Sequence, residues 1–324
     1  MVTRQRRPAR GGGLGDLRAA VRAEVAKVVV GQDETVDMLL AAASVGGHVL
    51  LEGVPGVAKT LLANAVARAL GMEFRRVQFT PDLLPSDVSG TMTLRGNSGQ
   101  LAFRPGPVFT NLLLADEINR TPPKTQAALL EAMQEGQVTV DGEARALPEP
   151  FLVVATQNPI EYEGTYPLPE AQLDRFVMKL DVGYPAEDDE VSMLQLEHRG
   201  VAPVTLDDVA AVGSARAVLA ARAEVDATSV TDEVGAYIVA LVRQTRALPS
   251  VALGASPRAA VHLLAASKAA ARLEGRDFVT PDDVVTMAPP VLRHRLLLQP
   301  EAELERYHPD DAVRAAVAAV PVPR

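Results

Sequence analysis

A glycine-rich turn that ends in Lys59-Thr60 follows a short apolar segment and precedes a segment of helical character. Glycine lets the backbone fold tightly, so that successive N–H groups point into one concavity that binds phosphate. The lysine would contact the β- and γ-phosphates of ATP, and the threonine hydroxyl would ligate Mg²⁺. The alternative is an ordinary Gly/Pro turn between a strand and a helix. The pattern predicts a nucleotide-binding loop formed by Gly53, Val54, Pro55, Gly56, Val57, Ala58, Lys59, Thr60 and Leu61.

One position of this loop departs from the usual pattern. Ala58 stands where the motif has its second glycine. An alanine is tolerated there if its φ is negative, because residues with a side chain rarely adopt positive φ. The substitution therefore makes the motif less specific when it is taken alone.

Two adjacent carboxylates, Asp116 and Glu117, end an apolar run that begins at Asn111. Such a run is typical of a buried parallel strand that delivers acidic side chains to its carboxyl end. Asp116 would hold Mg²⁺, directly or through water, and Glu117 would orient and activate the attacking water as a general base. An Asp-Glu pair after a strand also occurs as the acidic first turn of a helix. The phosphate loop about sixty residues earlier favours the catalytic interpretation, because that spacing suits neighbouring strands of one sheet.

The composition is that of a globular protein with a large core. At 324 residues and 48% hydrophobic content, the chain is expected to form two domains. Its net charge of −9 argues against a general nucleic-acid-binding surface. The absence of cysteine excludes disulfides and thiolate sites. Because the sequence has neither an apolar run of membrane-spanning length nor a signal-peptide core, we expect a cytoplasmic protein without membrane insertion.

Short apolar segments alternate with helical segments, which predicts a mainly parallel sheet covered on both faces. The predicted strands are His48–Glu52, Phe74–Phe79, Leu112–Ala115, Phe151–Thr156 and Val177–Val182. One helix is predicted over Leu61–Leu70, and another with Thr121 as its N-cap, Pro122 as its first residue and an end near Gly136.

Turn residues predict two β-hairpins within this alternating region. The first pairs Thr91–Arg95 with Gln100–Arg104 around a Gly-rich tip, and the second pairs Gln137–Val140 with Glu143–Leu147 around Asp141-Gly142. Each could instead be a solvated surface decoration. From about residue 200 the pattern changes to alanine-rich helices without strands, predicted over Thr231–Ala247, Ser256–Glu274 and Thr280–Met287.

Four blocks of sequence, in order, resemble the MoxR-type AAA+ ATPases over about residues 16–300. They are the phosphate loop, the acidic block Asp116–Lys124 with Ala128–Glu135, the block Ala155–Pro159 with Gly164–Phe176, and the block Gly254–Ala259. Members of this family often carry alanine before the phosphate-loop lysine, which fits Ala58. The resemblance implies an α/β AAA+ P-loop NTPase with a parallel β-sheet core, followed by a small all-α helical lid domain.

The predicted domain boundaries follow from this resemblance and from the composition. A disordered basic tail covers 1–15, and the nucleotide-binding domain with its hairpin insert covers 16–185. A linker covers 186–199, the helical lid 200–305 and a C-terminal tail 306–324.

The resemblance also implies roles for three further residues. Asn158 matches the position that orients the attacking water or the γ-phosphate, although it could also be a capping Asn before a proline. Arg175 matches an arginine finger that stabilises charge on a neighbouring subunit's γ-phosphoryl, although it could also pair with Asp174 or Glu170. Arg258 matches an arginine that contacts the nucleotide from the lid, although it could also point to solvent. The segment Val30-Gly31-Gln32 resembles the one that packs near the adenine.

The predicted function is ATP hydrolysis by a chaperone-like motor that forms a homo-oligomeric ring, a hexamer, and remodels or activates client proteins. The resemblance implies clients that often contain von Willebrand A-type domains or are metal-cofactor enzymes. Two alternatives are a nucleic-acid-acting motor of the same superfamily and a non-hydrolysing, nucleotide-gated scaffold. The hairpins lack the basic clusters and stacked aromatics that nucleic acid requires, and Glu117 disfavours the scaffold.

Overall fold

The computed structural model describes residues 13–94, 100–158, 165–197 and 205–323. The predicted basic tail up to residue 12, the tip of the first hairpin (95–99) and the end of the predicted linker lie outside the described residues, as do Pro159 and Gly164 of the third motif block.

The amino-terminal part is built around a five-stranded parallel sheet, as the alternating pattern predicted. The strands of this part are β1 His48–Glu52, β2 Phe74–Gln78, β3 Gly90–Leu94, β4 Leu101–Pro105, β5 Leu112–Asp116, β6 Gln137–Val140, β7 Glu143–Ala146, β8 Leu152–Gln157 and β9 Phe176–Asp181. The strand order in the sheet is β2-β5-β8-β1-β9. The helices are α1 Leu14–Val25, α2 Asp33–Val45, α3 Lys59–Ala69, α4 Pro85–Ser89, α5 Pro123–Glu135, α6 Glu170–Leu173 and α7 Glu187–Glu197.

The sheet carries a hydrophobic core on each face, because successive side chains of a strand point to opposite sides. Leu112 and Leu114 of β5 pack into the core that contains α2 and α3. Leu113, between them, packs into the opposite core with Leu129 and Leu130 of α5. Burial on both faces explains why the central strands are almost entirely apolar.

Helix α5 begins one residue later than the sequence predicted. Pro122, expected as the first helical residue, is instead the N-cap, with φ −58° and ψ 152°. A proline at the next position disfavours the helical conformation of the residue before it, and Pro123 has that effect on Pro122. Thr121 is therefore not the cap. The predicted end is confirmed, since Gly136 closes the helix in the left-handed conformation.

Both predicted hairpins form and contact one another. Strands β3 and β4 pair in antiparallel register, as do β6 and β7, and the turn residues Asp141 and Gly142 both have positive φ. The guanidinium of Arg145 on β7 lies 4.2 Å from the ring centroid of Phe103 on β4. This cation–π contact joins the first hairpin to the second.

The carboxyl-terminal part is helical and packs on the sheet domain through α2. It comprises α8 Ala215–Asp226, α9 Asp232–Thr245, β10 Val251–Leu253, α10 Pro257–Leu273, α11 Pro281–Leu292, β11 Leu297–Leu298, α12 Pro300–Leu304 and α13 Pro309–Ala319. Helices α8 and α10 both pack against α2. One hydrophobic core therefore runs from the sheet into this domain. In the described residues, no helix is long and apolar enough to cross a membrane.

Three expectations for this half of the chain need correction. The region expected to lack strands contains a short antiparallel pair, β10 with β11. Helix α7 occupies most of the predicted linker. Residues 309–319 of the predicted tail form α13, which buries Ala312, Val313 and Ala316. These residues lie three or four positions apart and so form one apolar helical face, which must be covered by the domain.

Candidate functional site

Most of the residues predicted to bind the nucleotide and Mg²⁺ meet at the carboxyl edge of the sheet. The phosphate loop follows β1, Asp116 ends β5 and Asn158 follows β8, and these three strands are neighbours in the order β5-β8-β1. Carboxyl ends of parallel strands lie at the same edge, which brings the three segments together. They line a cavity of about 480 Å³ whose walls are Pro55, Gly56, Val57, Ala58, Lys59, Thr60, Leu61, Asp116, Glu117, Thr156, Gln157 and Asn158.

The phosphate loop has the geometry of an anion site. Gly53 approaches the carbonyl oxygen of Val182 so closely that a Cβ would collide with it, and Gly56 has φ +89°. Lys59 begins helix α3, and its Nζ donates a hydrogen bond to the carbonyl oxygen of Gly53. Burial lowers the pKa of Lys59, while the nearby carboxylates of Asp116, Glu117 and Glu52 oppose this shift. The ammonium group is thus partly desolvated, which strengthens its attraction for a phosphate.

Ala58 contradicts the condition of negative φ. Its φ is +59° and its ψ is 23°, the left-handed conformation, at the N-cap of α3. The conformation directs the backbone N–H groups as the missing glycine would, at a strain of about 1 kcal/mol.

Replacing Ala58 by glycine should remove this strain. We expect Ala58→Gly to leave the free energy of unfolding unchanged or raise it by up to about 1 kcal/mol, because the relief of strain exceeds the entropy that glycine adds to the unfolded chain. Urea unfolding followed by circular dichroism measures the change. Ala65→Gly, in the interior of α3, is the matched control and should destabilise by about 1 kcal/mol or more. A similar loss in both variants would contradict the assignment.

Asp116 is held by two neighbours on adjacent strands. Its Oδ1 accepts a hydrogen bond from Thr156 Oγ1 at 2.6 Å, and its Oδ2 accepts from Arg76 Nη2 at 2.6 Å and Nε at 3.0 Å. Arg76 is thus already a cationic partner of the Asp116 carboxylate. Thr60, whose side chain carries a hydroxyl, lines the same cavity. Hard oxygen donors of this kind suit Mg²⁺, whose remaining ligands are usually phosphate oxygens and water. The residues present therefore fit the predicted metal site.

Glu117 lies in a strained position beside Asp116. Its φ is +57°, an unusual value for a residue with a long side chain, and its backbone N–H donates to Thr156 Oγ1 at 2.9 Å. Its Oε2 accepts hydrogen bonds from Gln78 Nε2 at 2.5 Å and from Arg120 Nη1 at 3.2 Å. The carboxylate is therefore directed to the cavity edge by residues on two sides.

Thr156 is a further residue of the site and was not among those predicted from the sequence. Its single hydroxyl donates to Asp116 and accepts from the backbone of Glu117. Ala155 pairs with Ala115 across β8 and β5, so Thr156, the next residue, lies beside Asp116. The only signal in the sequence is its place two residues before Asn158. Recognising its role required the pairing of two strands about forty residues apart.

Removing the Thr156 hydroxyl should impair hydrolysis more than binding. We expect Thr156→Val to lower kcat about 10- to 100-fold, because Asp116 and Glu117 both lose the bond that orients them. The affinity for a fluorescent ATP analogue, measured in parallel, should change little, since the loop residues remain. Thr156→Ser keeps the hydroxyl and should retain most activity. A valine variant with the kcat of the unsubstituted protein would show that this hydroxyl is not needed.

A second cavity, of about 370 Å³, adjoins the first and has the character of a base-binding site. The two share Gly56, Val57, Ala58 and Leu61. The wall of the second includes Val30 and Gln32, from the segment expected near the adenine, together with Tyr184, Met193 and Leu194 from the chain at and after β9. A largely apolar pocket beside a phosphate loop is suited to a purine ring.

Arg175 and Arg258 lie at the amino edge of the sheet, which is the end where strands β1 and β9 begin. Arg175 directly precedes β9, whose first residue pairs with His48 at the start of β1. Both arginines line a cavity of about 220 Å³ with Gly47, His48 and His262. The phosphate loop follows the other end of β1, roughly 16 Å away along a five-residue strand. Arg258 therefore lies about the length of β1 away from the phosphate loop of its own chain. Its contact with a nucleotide stays a prediction.

Both arginines are available to an anion from outside the chain. Within the described residues, neither Arg175 nor Arg258 forms an ion pair. The alternative pairing of Arg175 with Asp174 does not occur, since Asp174 pairs with Arg295 at 2.7 Å. Arg258, exposed in the first turn of α10, keeps a positive charge where the helix macrodipole disfavours it.

Comparisons with known families agree with this architecture. The profile of the ATPase family associated with various cellular activities (AAA) matches residues 48–178. That of the AAA lid domain matches residues 243–316. The two matches correspond to the sheet domain and to the helical domain that follows it.

Several proteins are similar over nearly the whole chain. YeaC of Bacillus subtilis is 49% identical over 92% of this chain and 92% of its own. Chaperone MoxR1 of Mycobacterium tuberculosis is 44% identical over 93% and 81%, and Protein MoxR of Methylorubrum extorquens is 36% identical over 95% and 96%. A crystal structure from Cytophaga hutchinsonii superposes with a TM-score of 0.88 at 41% identity, covering 96% of each chain.

Proposed function

Because the chain belongs to the MoxR-type AAA+ ATPases, we propose that it hydrolyses ATP with Mg²⁺ as a ring-forming motor that remodels client proteins. The observation that carries the proposal is the convergence of Lys59, Asp116 and Glu117 on one cavity at the carboxyl edge of the sheet. A phosphate-binding lysine, a metal-holding carboxylate and a general base are recurring parts of nucleotide-hydrolysing sites.

The residues of this cavity support the following sequence of steps. Lys59 and the N–H groups of the loop bind the β- and γ-phosphates. Thr60 and Asp116 would hold Mg²⁺, which would supply positive charge next to the phosphate oxygens. Glu117 takes a proton from water, whose oxygen attacks the γ-phosphorus in line. The bond from that phosphorus to the β,γ-bridging oxygen breaks, which yields ADP and phosphate. Asn158, buried on the cavity wall, orients the water or a γ-phosphate oxygen.

The positions of Arg175 and Arg258 support assembly into a ring. Two arginines without an ion pair in the described chain share a cavity at the edge opposite the phosphate loop. If subunits pack edge to edge, this surface meets the nucleotide of the next subunit and closes its site. We take six subunits as the ring size because the family resemblance implies it.

We take the client to be a protein. The surface of this chain that contacts the client includes the first hairpin, β3–β4. Leu94 and Leu101 are a cross-strand pair next to the tip, with 67% and 61% of their surface exposed. Exposed apolar pairs fit a protein surface better than a nucleic-acid backbone, which calls for basic side chains. Von Willebrand A-type domains are the client class that the family implies.

An ATP-trapped variant tests the proposal. Glu117→Gln should hold ATP without hydrolysing it and so retain its client in an affinity capture from cell extract, followed by mass spectrometry. Lys59→Ala is the control that cannot bind ATP and should capture nothing specific. Glu117→Gln combined with Leu94→Ser and Leu101→Ser should form the same ring but lose the client. Equal capture by all three would refute an ATP-dependent client role.

A further inference from the structure

A buried arginine of the helical domain donates hydrogen bonds to the backbone before and after Arg175. Arg295 lies in the turn after α11, and only 2% of its side chain is exposed. Its Nε donates to Asp174 Oδ1 at 2.7 Å, and its Nη2 donates to the carbonyl oxygens of Asp174 and Phe176 at 3.3 and 2.5 Å. Its Nη1 donates to the carbonyl oxygen of Val177 at 3.4 Å. The guanidinium thus binds the backbone on both sides of Arg175.

The same guanidinium is connected to the helix that carries Arg258. Arg295 Nη2 donates to His262 Nδ1 at 2.5 Å, and His262 lies one turn after Arg258 on α10. Burial and the positive charge of Arg295 lower the pKa of His262 to about 4, so the ring is neutral at neutral pH. Because an arginine can only donate, the hydrogen bond requires the tautomer in which Nδ1 carries no proton. Burial lowers the pKa of Arg295 to about 10, which leaves it charged at neutral pH.

A second connection runs through Ser256. This residue is the N-cap of α10, yet its hydroxyl donates to Asp174 Oδ2 at 3.0 Å instead of capping the described first turn. Asp174 therefore accepts a hydrogen bond from Arg295 at one carboxylate oxygen and from Ser256, the α10 N-cap residue, at the other. We name Asp174, Ser256, His262 and Arg295 the Arg295 network.

We propose that the Arg295 network is a positioning unit that holds Arg175 and Arg258 in a fixed relative geometry, so that both reach the neighbouring subunit's nucleotide together. This inference rests on the proposed function, in which the two arginines act on a neighbour. Arg175 belongs to the sheet domain and Arg258 to the helical domain. The shared apolar core joins the two domains, but apolar packing is not directional, so a small tilt of one domain against the other would separate the two arginines unless a directional contact opposed it.

The chemistry of the network supports positioning over simple stability. An ion pair that is buried gains little net stability, because desolvation offsets most of the attraction, and an apolar cluster of similar volume is often as stable. A guanidinium, however, has five donors in a planar fork and fixes the direction of each group that it binds. In this network those N–H groups donate to backbone carbonyl oxygens next to Arg175 and to the ring of His262, which lies one turn after Arg258.

Three variants separate positioning from folding. Arg295→Lys keeps the charge but loses the fork, and Ser256→Ala removes only the link to the α10 N-cap. Arg293→Lys is the matched control, since Arg293 lies in the same turn but pairs with Asp181 and Asp310. We expect Arg295→Lys to lower kcat about 10- to 100-fold and Ser256→Ala several-fold, with binding of a fluorescent ATP analogue unchanged. Arg293→Lys should keep the kcat of the unsubstituted protein.

We name the surface that carries Arg175 and Arg258 the arginine edge. Mixing experiments show whether the defect lies in this surface. Rings that mix Arg295→Lys with Lys59→Ala subunits should regain activity, because the Lys59→Ala subunit supplies an intact edge to an intact pocket. Rings that mix Arg295→Lys with Arg175→Ala subunits should not. The inference is overturned if both mixtures behave alike, or if Arg295→Lys and Ser256→Ala turn over at the rate of the unsubstituted protein.

A reference mixture of Arg175→Ala and Lys59→Ala subunits distinguishes a failure of the positioning role from a failure of the proposed function. If Arg175→Ala with Lys59→Ala gives no activity in rings of verified composition, then action on a neighbour is wrong, and the inference fails with it. If that mixture recovers activity but the Arg295→Lys mixtures do not differ, only the positioning role is wrong.

Discussion

Lys59→Ala should abolish ATP binding, whereas Glu117→Gln should keep binding and lose turnover. Lys59 contacts phosphate in the bound ground state, since its ammonium group lies in the loop beside Gly53. Glu117 acts only when the water gives up its proton, and glutamine cannot accept that proton. We expect kcat to fall by about 10²- to 10⁴-fold in Glu117→Gln. Equilibrium titration with a fluorescent ATP analogue and a phosphate-release assay measure the two effects.

Glutamine is a suitable replacement because it preserves the local contacts. Its amide oxygen can still accept from Gln78 and Arg120, the two donors that hold the Glu117 carboxylate. Lys124→Ala and Glu135→Gln, exposed on α5, are the matched controls and should change neither quantity. Hydrolysis by Glu117→Gln at the rate of the unsubstituted protein would remove Glu117 as the base.

Arg175→Ala should bind ATP normally but fail to hydrolyse it, and Lys59→Ala subunits should restore activity to it. The Lys59→Ala subunit has an inactive pocket but an intact arginine edge, while the Arg175→Ala subunit has the reverse. A mixed interface thus pairs an intact pocket with an intact arginine, which neither variant has alone. We expect kcat of Arg175→Ala to fall by about 10³-fold or more, the usual contribution of an arginine finger.

Native mass spectrometry establishes that mixed rings form, and phosphate release measures the recovery. Arg258→Ala should behave in the same way, since Arg258 shares the cavity at the amino edge. If Arg258 instead served its own chain's nucleotide, Arg258→Ala would weaken ATP binding and would not recover with Lys59→Ala. Mixed rings without recovered activity would leave Arg175 with a structural role.

The sequence was sufficient for features that depend on a few neighbouring residues. The strands of the sheet were predicted to within one residue at either end. Most of them are nearly continuous apolar runs, as strands buried on both faces are, whereas the edge strand β2 is largely exposed. The turn of the second hairpin was predicted from Asp141-Gly142, which adopt the positive φ values that such a turn requires. Lys59, Thr60, Asp116, Glu117 and Asn158 were predicted to share a site, and they line one cavity.

Features that depend on residues far apart in the chain were decided by the tertiary structure. Strand order places Thr156 beside Asp116, and no local pattern in β8 indicates that pairing. The packing of the helical domain on α2 moves Arg258 to the amino edge, although its motif is the same wherever the domain lies. Ala58 adopts positive φ because the loop and α3 impose it, against the preference of the residue itself. Local sequence thus determined which groups could do chemistry. The long-range packing of strands and helices determined which of them meet, because those contacts join residues whose sequence neighbourhoods carry no record of each other.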